Sequence, residues 1–244
     1  MKTILFRLGG KILPILAATA MAAPNLSAQD DAGVRLGIKV APNMSWIKAD
    51  TKGFDGDGSK IGFTFGLVTE FPIGSSGNYR FGTGLFLNYA GGNYVQTVTY
   101  PDANLQIVSK DLSSKTKLQY IELPLTVKLM TNEIGYSRYY GRLGFGAGYN
   151  LSAKADFESL AAGSNGVIGV ANFTDEDIKS NIQPFRVGLI VGGGMEYNFS
   201  GSTTLQVGIN YHNGFTNLLK DVKVGDKKAK LLQNYLELDL AVFF

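Results

Sequence analysis

The chain has 244 residues, no cysteine and a formal net charge of +3. Without cysteine it has neither structural disulfides nor a lipid-anchored N-terminal cysteine. Three basic residues lie near the N-terminus, and the rest of the chain has 20 basic and 20 acidic residues. Because these charges balance, the composition gives no electrostatic reason to expect a nucleic-acid partner. The three N-terminal basic residues are Lys2, Arg7 and Lys11.

The N-terminal stretch resembles a secretory signal peptide. Its basic start is followed by an apolar run that ends at Ala23, and small residues lead to Ala28. We predict cleavage after Ala28, with a cut after Ala22 or Ala23 as the alternative. The expected organisation is a signal peptide at 1–28 and a single mature domain at 29–244. An uncleaved anchor helix is disfavoured because the apolar run is too short to span a bilayer comfortably.

Eight segments of the mature chain alternate apolar residues with polar or small ones at a period of two, which is typical of β-strands. Each is close to the roughly 9–11 residues with which a tilted strand crosses a bilayer. The predicted strands cover 34–41, 61–71, 79–89, 120–129, 139–149, 185–197, 205–212 and 235–244.

Charges are confined to one face of these strands. A soluble barrel would bury its apolar face and turn its charges to water. Here the charged face also carries most of the strand glycines, as a crowded interior would require. We therefore predict lipid outside and an ion-paired polar lumen inside. The charged residues are Arg35, Lys39, Glu70, Arg80, Glu122, Lys128, Arg142, Arg186, Glu196, Glu237 and Asp239.

Aromatic residues of the apolar face gather at the strand ends, where the two bilayer interfaces favour aromatic side chains. We predict two belts, one formed by Phe71, Tyr79, Tyr139, Tyr197 and Phe244, the other by Tyr89, Tyr149, Phe185 and Tyr211.

The connections alternate between short and long. Short turns at 74–77, 132–135 and 200–202 are expected at the periplasmic rim, and long mobile loops outside. Tyr94–Val98 and Leu105–Val108 are interpreted as continuations of strands three and four beyond the membrane. The prediction is a monomeric, all-β, eight-stranded antiparallel up-and-down transmembrane β-barrel, with a ten-stranded barrel as the alternative.

The segment Tyr120–Lys128 resembles the PorT-like family of outer-membrane β-barrels, which carry a Tyr-aliphatic-Glu-aliphatic-Pro-aliphatic strand at this place. Gly37–Ser45 is similar to the family's first strand, although Pro42 stands where glycine is more common. Phe244 resembles the C-terminal signal that the barrel-assembly machinery reads. The resemblance implies a barrel in the cell outer membrane and fixes no activity, although PorT itself is associated with protein secretion. Separately, Pro124 predicts a bulge or kink, because proline removes a ladder donor.

Residues that could carry chemistry give weak signals. His212, the only histidine, is predicted to face the lumen, and no motif supplies the nucleophile and acid that a lipid hydrolase needs. Asp55–Gly58 lacks the later ligands of a calcium loop, and Asp175–Asp177 is interpreted as solvated loop charge. Gly144–Gly148 and Gly192–Gly194 lie inside strands, which is the wrong context for phosphate binding. We predict no catalytic residue, cofactor or metal.

The leading functional hypothesis is a non-enzymatic outer-membrane protein that acts through its extracellular loops or periplasmic rim, in envelope structure, interaction or secretion support. Nearly half of the mature chain is predicted to lie in loops and turns, where recognition usually resides. Its expected partners are outer-membrane lipid, the barrel-assembly machinery, and an envelope or secretion protein. The alternatives are a narrow channel for small solutes, disfavoured because about eight strands leave room only for side chains, and a lipid-modifying enzyme.

Overall fold

The computed structural model describes residues 33–102, 106–162, 168–200, 203–224 and 227–244. The predicted signal peptide at 1–28 lies outside the described residues, as do Leu105 and part of the turn at 200–202. Among the described residues, no helix has the length and apolar character needed to cross a membrane.

The described chain is almost entirely β-structure, with one 3-10 turn at Lys179–Asn181. The strands are β1 (Arg35–Ala49), β2 (Phe54–Gly56), β3 (Ser59–Pro72), β4 (Tyr79–Pro101), β5 (Ile107–Met130), β6 (Ser137–Ala162), β7 (Ile168–Asp177), β8 (Phe185–Ser200), β9 (Thr203–Gly214), β10 (Lys223–Val224), β11 (Lys227–Lys228) and β12 (Leu231–Phe243).

Eight of these strands form a closed antiparallel ring in chain order, β1-β3-β4-β5-β6-β8-β9-β12. The ring closes where β12 pairs with β1, for example Val242 with Ile38. Two further strands bring the sheet to ten: β2 pairs with β4, and β7 pairs with β6. They lie off the ring and do not take part in its closure. The architecture is therefore an up-and-down barrel, as the alternation of the sequence predicted.

Three strands continue well past the segments predicted from the sequence. β4 and β5 stay paired as far as Pro101 and Ile107, so the segments around residues 94–98 and 106–108 are extensions of ring strands. β6 continues to Ala162 and pairs with β7. The connection between the predicted strands at 139–149 and 185–197, expected to be a long loop, is therefore largely a β-hairpin. A register shift between Gln119 and Tyr120 adds a residue to β6 and breaks its alternation there.

The ring carries its apolar side chains outside and its charges inside. Leu67, Leu85 and Phe145 are exposed on the outer surface, whereas Lys128 and Asp239 are completely buried within. All eleven charged residues predicted to face the lumen are buried or nearly buried. The most exposed of them, Arg35, has 16% of its side chain exposed. The predicted inversion relative to a soluble protein is confirmed.

The nine aromatic residues of the two predicted belts all have exposed side chains. One belt lies at the end of the barrel with the short turns, which we call the short-turn end. The other, which we call the outer aromatic belt, lies where β4, β5 and β6 continue past the ring, at what we call the long-loop end. The first belt comprises Phe71, Tyr79, Tyr139, Tyr197 and Phe244, and the second Tyr89, Tyr149, Phe185 and Tyr211.

Of the bulge or kink predicted at Pro124, the bulge does not form. The register of β5 with β6 stays constant from Met130 to Tyr120, across Pro124. On the other side, the ladder with β4 is interrupted at Leu123 and Pro124 and resumes in the same register at Glu122. Because proline has no backbone N–H, the ladder loses a bond there. The closed ring tolerates that gap without inserting a residue.

Candidate functional site

The half of the lumen nearest the short-turn end is filled by ion pairs. Lys128 Nζ lies 2.8 Å from Glu70 and 2.5 Å from the side-chain oxygen of Gln206, and it also contacts Glu196. Arg35 Nη2 is 2.6 Å from Glu70 and 2.7 Å from Glu196. Two cations thus share two carboxylates, which offsets the large cost of removing these charges from water.

A second layer continues the network toward the middle of the barrel. Arg142 Nη1 lies 2.7 Å from Asp239. Lys39 Nζ lies 2.5 Å from Glu237, and Asn210 donates to both carboxylates at 2.9 Å and 3.1 Å. In these two layers Arg35, Lys39, Lys128 and Arg142 are thus held by buried carboxylates.

Arg186 dominates the half of the lumen nearest the long-loop end. Its guanidinium carbon lies 4.8 Å from the ring centre of Tyr120 and 5.0 Å from that of Tyr235, between two cation–π partners. It donates to Glu122 and, at 2.9 Å, to Gln233. Glu122 also accepts the Tyr235 hydroxyl at 2.9 Å. Five side chains from three strands, β5, β8 and β12, therefore cross-link the lumen at this level.

His212 lies inside the barrel, as predicted. Its ring stacks on Tyr235 with centroids 4.0 Å apart, and its Nε2 is 3.1 Å from Glu237. These contacts supply an acid but no serine or cysteine, so they give no support to a hydrolytic triad.

A space of about 40 Å³ lies among the described lumen side chains, bordered by residues that include Lys39, Glu122 and His212. That volume has room for about one or two water molecules. Glycines make the tight packing possible: a Cβ at Gly192 would lie 2.0 Å from Asn210 Oδ1, and one at Gly208 would lie 2.2 Å from the Tyr140 hydroxyl. At these positions glycine therefore relieves crowding, as the sequence indicated.

Two connections fold over the long-loop end of the lumen, and we call their described residues 178–184, 215–224 and 227–231 the cap. Both were predicted to be surface loops, and in the structure both are packed against the ring. Gln183 N donates to Leu218 O at 2.9 Å, and Lys220 N donates to Asn181 O at 2.8 Å, which ties the connections together. The buried apolar side chains of the cap pack against Ile47, Leu118 and Tyr120 of the ring; they are Ile182, Leu218, Leu219, Ala229 and Leu231.

Beyond the ring, the ends of β4, β5 and β6 join β2 and β7 in a five-stranded extension, which we call the outer sheet. Asp55 belongs to β2 and pairs with Val95 of β4, so it lies in a strand and not in a calcium-type loop. Asp175 lies near the end of β7 and contacts Lys154, with Lys117 at 3.4 Å. Its bond from Lys154 lowers the pKa of the Asp175 carboxyl, so this residue is more than solvated loop charge.

Residues 27–160, more than half of the chain, match the family model described as the outer membrane protein beta-barrel domain. The chain belongs to the outer membrane protein beta-barrel family. This barrel therefore resides in the outer membrane. Its two aromatic belts are at the heights of the bilayer interfaces, and the exposed apolar surface between them faces lipid.

Solved structures with a similar fold include three outer-membrane proteins. Neisserial surface protein A is 13% identical, with a TM-score of 0.44, over 86% of this chain and 97% of that chain. Ail of Yersinia pestis, in complex with the heparin analogue sucrose octasulfate, is 18% identical with a TM-score of 0.37, over 87% and 99%. OprG of Pseudomonas aeruginosa is 11% identical with a TM-score of 0.40, over 88% and 99%. No curated protein sequence matches the chain.

Proposed function

We propose that this outer-membrane barrel is a non-enzymatic protein that acts through the outer sheet, in envelope structure, interaction or secretion support. The observation that carries the proposal is the continuation of β4, β5 and β6 past the outer aromatic belt. From Tyr89 to Pro101, β4 extends about 40 Å along the strand at roughly 3.3 Å per residue. A hydrogen-bonded sheet is a preorganised surface, which loses less freedom on binding than mobile loops would.

The interior supports the same proposal. Ion pairs fill the lumen between the belts, and the cap packs over its outer end. A solute would have to displace buried charge pairs, at a cost of several kcal/mol for each uncompensated charge. This arrangement favours a role at the surface over a role as a channel.

We also propose that the barrel belongs with the PorT-like group. The segment that carries this resemblance also organises the interior, because Tyr120 and Glu122 hold Arg186 and Lys128 holds Glu70. Support of protein secretion would be one form of the proposed surface role, with an envelope or secretion protein as partner.

The decisive experiment is complementation of a deletion strain with a barrel whose outer sheet is shortened. Residues 95–113 are replaced by Asn-Gly, which removes the outer part of the β4–β5 hairpin and leaves the ring ladder intact. Replacement of the turn 74–77 serves as control at the opposite rim. We expect the control to restore envelope integrity and secretion and the shortened barrel to fail, at equal amounts of heat-modifiable protein. Full complementation by the shortened barrel would contradict the proposal.

Two measurements separate the alternatives. We expect purified protein to give no reproducible conductance steps in planar bilayers, and such steps would replace the proposal with a channel. We expect unchanged lipid A and phospholipid profiles in the deletion strain, and a lost modification would instead indicate a lipid-modifying enzyme.

A further inference from the structure

A groove of about 270 Å³ lies on the outside of the barrel near the outer aromatic belt. It forms where the ladders separate: the outermost pair of β3 and β4 is Phe63 with Tyr89, and β4 then pairs with β2 from Tyr94 onward. The gap between these two ladders lies beside Ala90 and Gly91. The groove's polar lining includes Lys60, Lys117, Lys154, Gln119 and Ser152.

Lys60 crosses this gap. Its Nζ donates to the backbone carbonyl of Thr116 at 3.0 Å. A Cβ at Gly91 would lie 3.1 Å from Lys60 Cδ and 2.1 Å from Thr116 O, so the glycine leaves the space through which the lysine passes. Within the described part of the chain Lys60 makes no ion pair, which leaves its charge available to a ligand.

The other two lysines are held in place by carboxylates. Lys117 Nζ is 3.0 Å from Asp156 and 3.4 Å from Asp175, and Lys154 contacts Asp175. Three ammonium groups therefore face two carboxylates. The groove keeps an excess of positive charge, and the ion pairs fix where Lys117 and Lys154 point.

The membrane side of the groove is apolar. Ile61 is 82% exposed, and Tyr89 contributes its ring to the lining. Phe65 stacks on Tyr89 with centroids 6.3 Å apart, and Phe63 lies beside Phe65. The surface thus changes from exposed rings to ammonium groups at the height where the outer leaflet changes from acyl chains to headgroups.

We propose that this groove binds the phosphate of an outer-leaflet lipid headgroup, with an acyl chain against Ile61, Phe63 and Phe65. Lys60 and Lys117 supply the charge, since lysine ammonium groups bind phosphate as point charges and basic residues next to a bilayer attract anionic headgroups. Gln119 and Ser152 provide neutral donors at the groove wall. The site does not depend on the role proposed for the outer sheet.

The test is native mass spectrometry of the full-length mature barrel in a non-ionic detergent, titrated with bisphosphorylated lipid A. The variants are K60Q, K117Q and their combination. The matched control is K110Q with K115Q, because both lysines are exposed on β5 and do not line the groove. Heat-modifiable migration shows whether each variant is folded. If the double variant does not fold, the two single variants are compared with the wild type instead.

We expect one tightly bound lipid A on the wild type and the control, with affinity about fivefold lower for each groove lysine removed. Lipid A with both phosphates removed should bind as weakly as the double variant. Equal binding by the groove variants and the control, or by the two lipids, would overturn the proposal. So would displacement of the lipid by millimolar inorganic phosphate with binding of that ion in its place, because the ligand would then be free phosphate.

Discussion

Glu122 is the carboxylate on which the outer half of the lumen depends. It receives a bond from Arg186 and one from the Tyr235 hydroxyl, and Asn88 donates to it at 2.9 Å. These partners belong to strands on different sides of the barrel, so one side chain links the walls. Its removal would leave Arg186 charged and buried without a carboxylate.

We therefore expect the substitution Glu122→Gln to lower the free energy of unfolding by about 3–5 kcal/mol, the range for breaking a buried ion pair. Urea unfolding in lipid vesicles measures the effect. The control is Glu133→Gln, because Glu133 is exposed at the short-turn end, 3.4 Å from Arg138, where a pair contributes at most about 1 kcal/mol. Equal unfolding midpoints for the two variants would show that Glu122 does not carry this role.

At the scale of elements, the β6–β7 hairpin is held at its base by exposed ion pairs. Asp156 accepts the backbone N–H of Asp175 at 2.8 Å, and Lys154 bonds Asp175. The backbone bond and Lys117 lower the pKa of the Asp156 carboxyl, and the Lys154 bond lowers that of Asp175, both below the ordinary value of 3.8. Because these folded-state pKa values are depressed, the ion pairs stabilise the hairpin fully above pH 3.8.

That contribution should disappear as the pH falls from 3.8 through the lowered pKa values. We expect the amide protection factors of β7 to decrease over this interval while those of β9, within the ring, stay constant. Lys154→Gln should shift the decrease to higher pH. Protection in β7 that does not change with pH would mean that the carboxylates do not hold the hairpin.

The cap is the second element with a consequence of its own. Leu219 is 6% exposed and packs within the cap, whereas Phe215 in the same connection is 50% exposed. Leu219→Asn places a polar group in an apolar cluster, so we expect the connection to open more often. Trypsin should then cleave after Lys220 at least tenfold faster, because each tenfold rise in the open population corresponds to about 1.4 kcal/mol.

Phe215→Asn is the matched control for the cap and should leave the cleavage rate unchanged. Both variants should keep heat-modifiable migration, because the ring ladders do not involve these side chains. Rapid cleavage of the wild type would show that the cap is open in solution.

At the scale of the whole molecule, the barrel must be assembled before any of these contacts form. Phe244 is exposed at the short-turn end, and its N–H donates to Leu36 O at 2.9 Å. We propose that its side chain is read by the barrel-assembly machinery. Phe244→Ala should reduce the folded barrel in the outer membrane, and Phe199→Ala, which removes another exposed phenylalanine at the same end, should not. Heat-modifiable migration of membrane fractions measures both, and equal amounts would refute the proposal.

The sequence predicted the features that repeat with a period of two. Lys128, Glu196 and Asp239 were assigned to the lumen because each lies on the face opposite a run of apolar residues. The β6–β7 hairpin was missed because a register shift near Tyr120 exchanges the two faces midway along β6. The cap was missed because its apolar residues, such as Leu218, pack without strand periodicity. The lysine groove could not be predicted, since it depends on where the ladders of β3 and β4 separate.

Trp46, the single tryptophan of the sequence, lies near the outer end of β1 and stacks on Tyr211 with ring centroids 6.1 Å apart. Its contact with Tyr211 of the outer aromatic belt makes it an intrinsic fluorophore that reports on one bilayer interface. Lipids brominated near the headgroup quench its emission when the barrel is inserted, and a red shift accompanies unfolding. Insertion and unfolding can therefore be followed by fluorescence on the unlabelled natural chain.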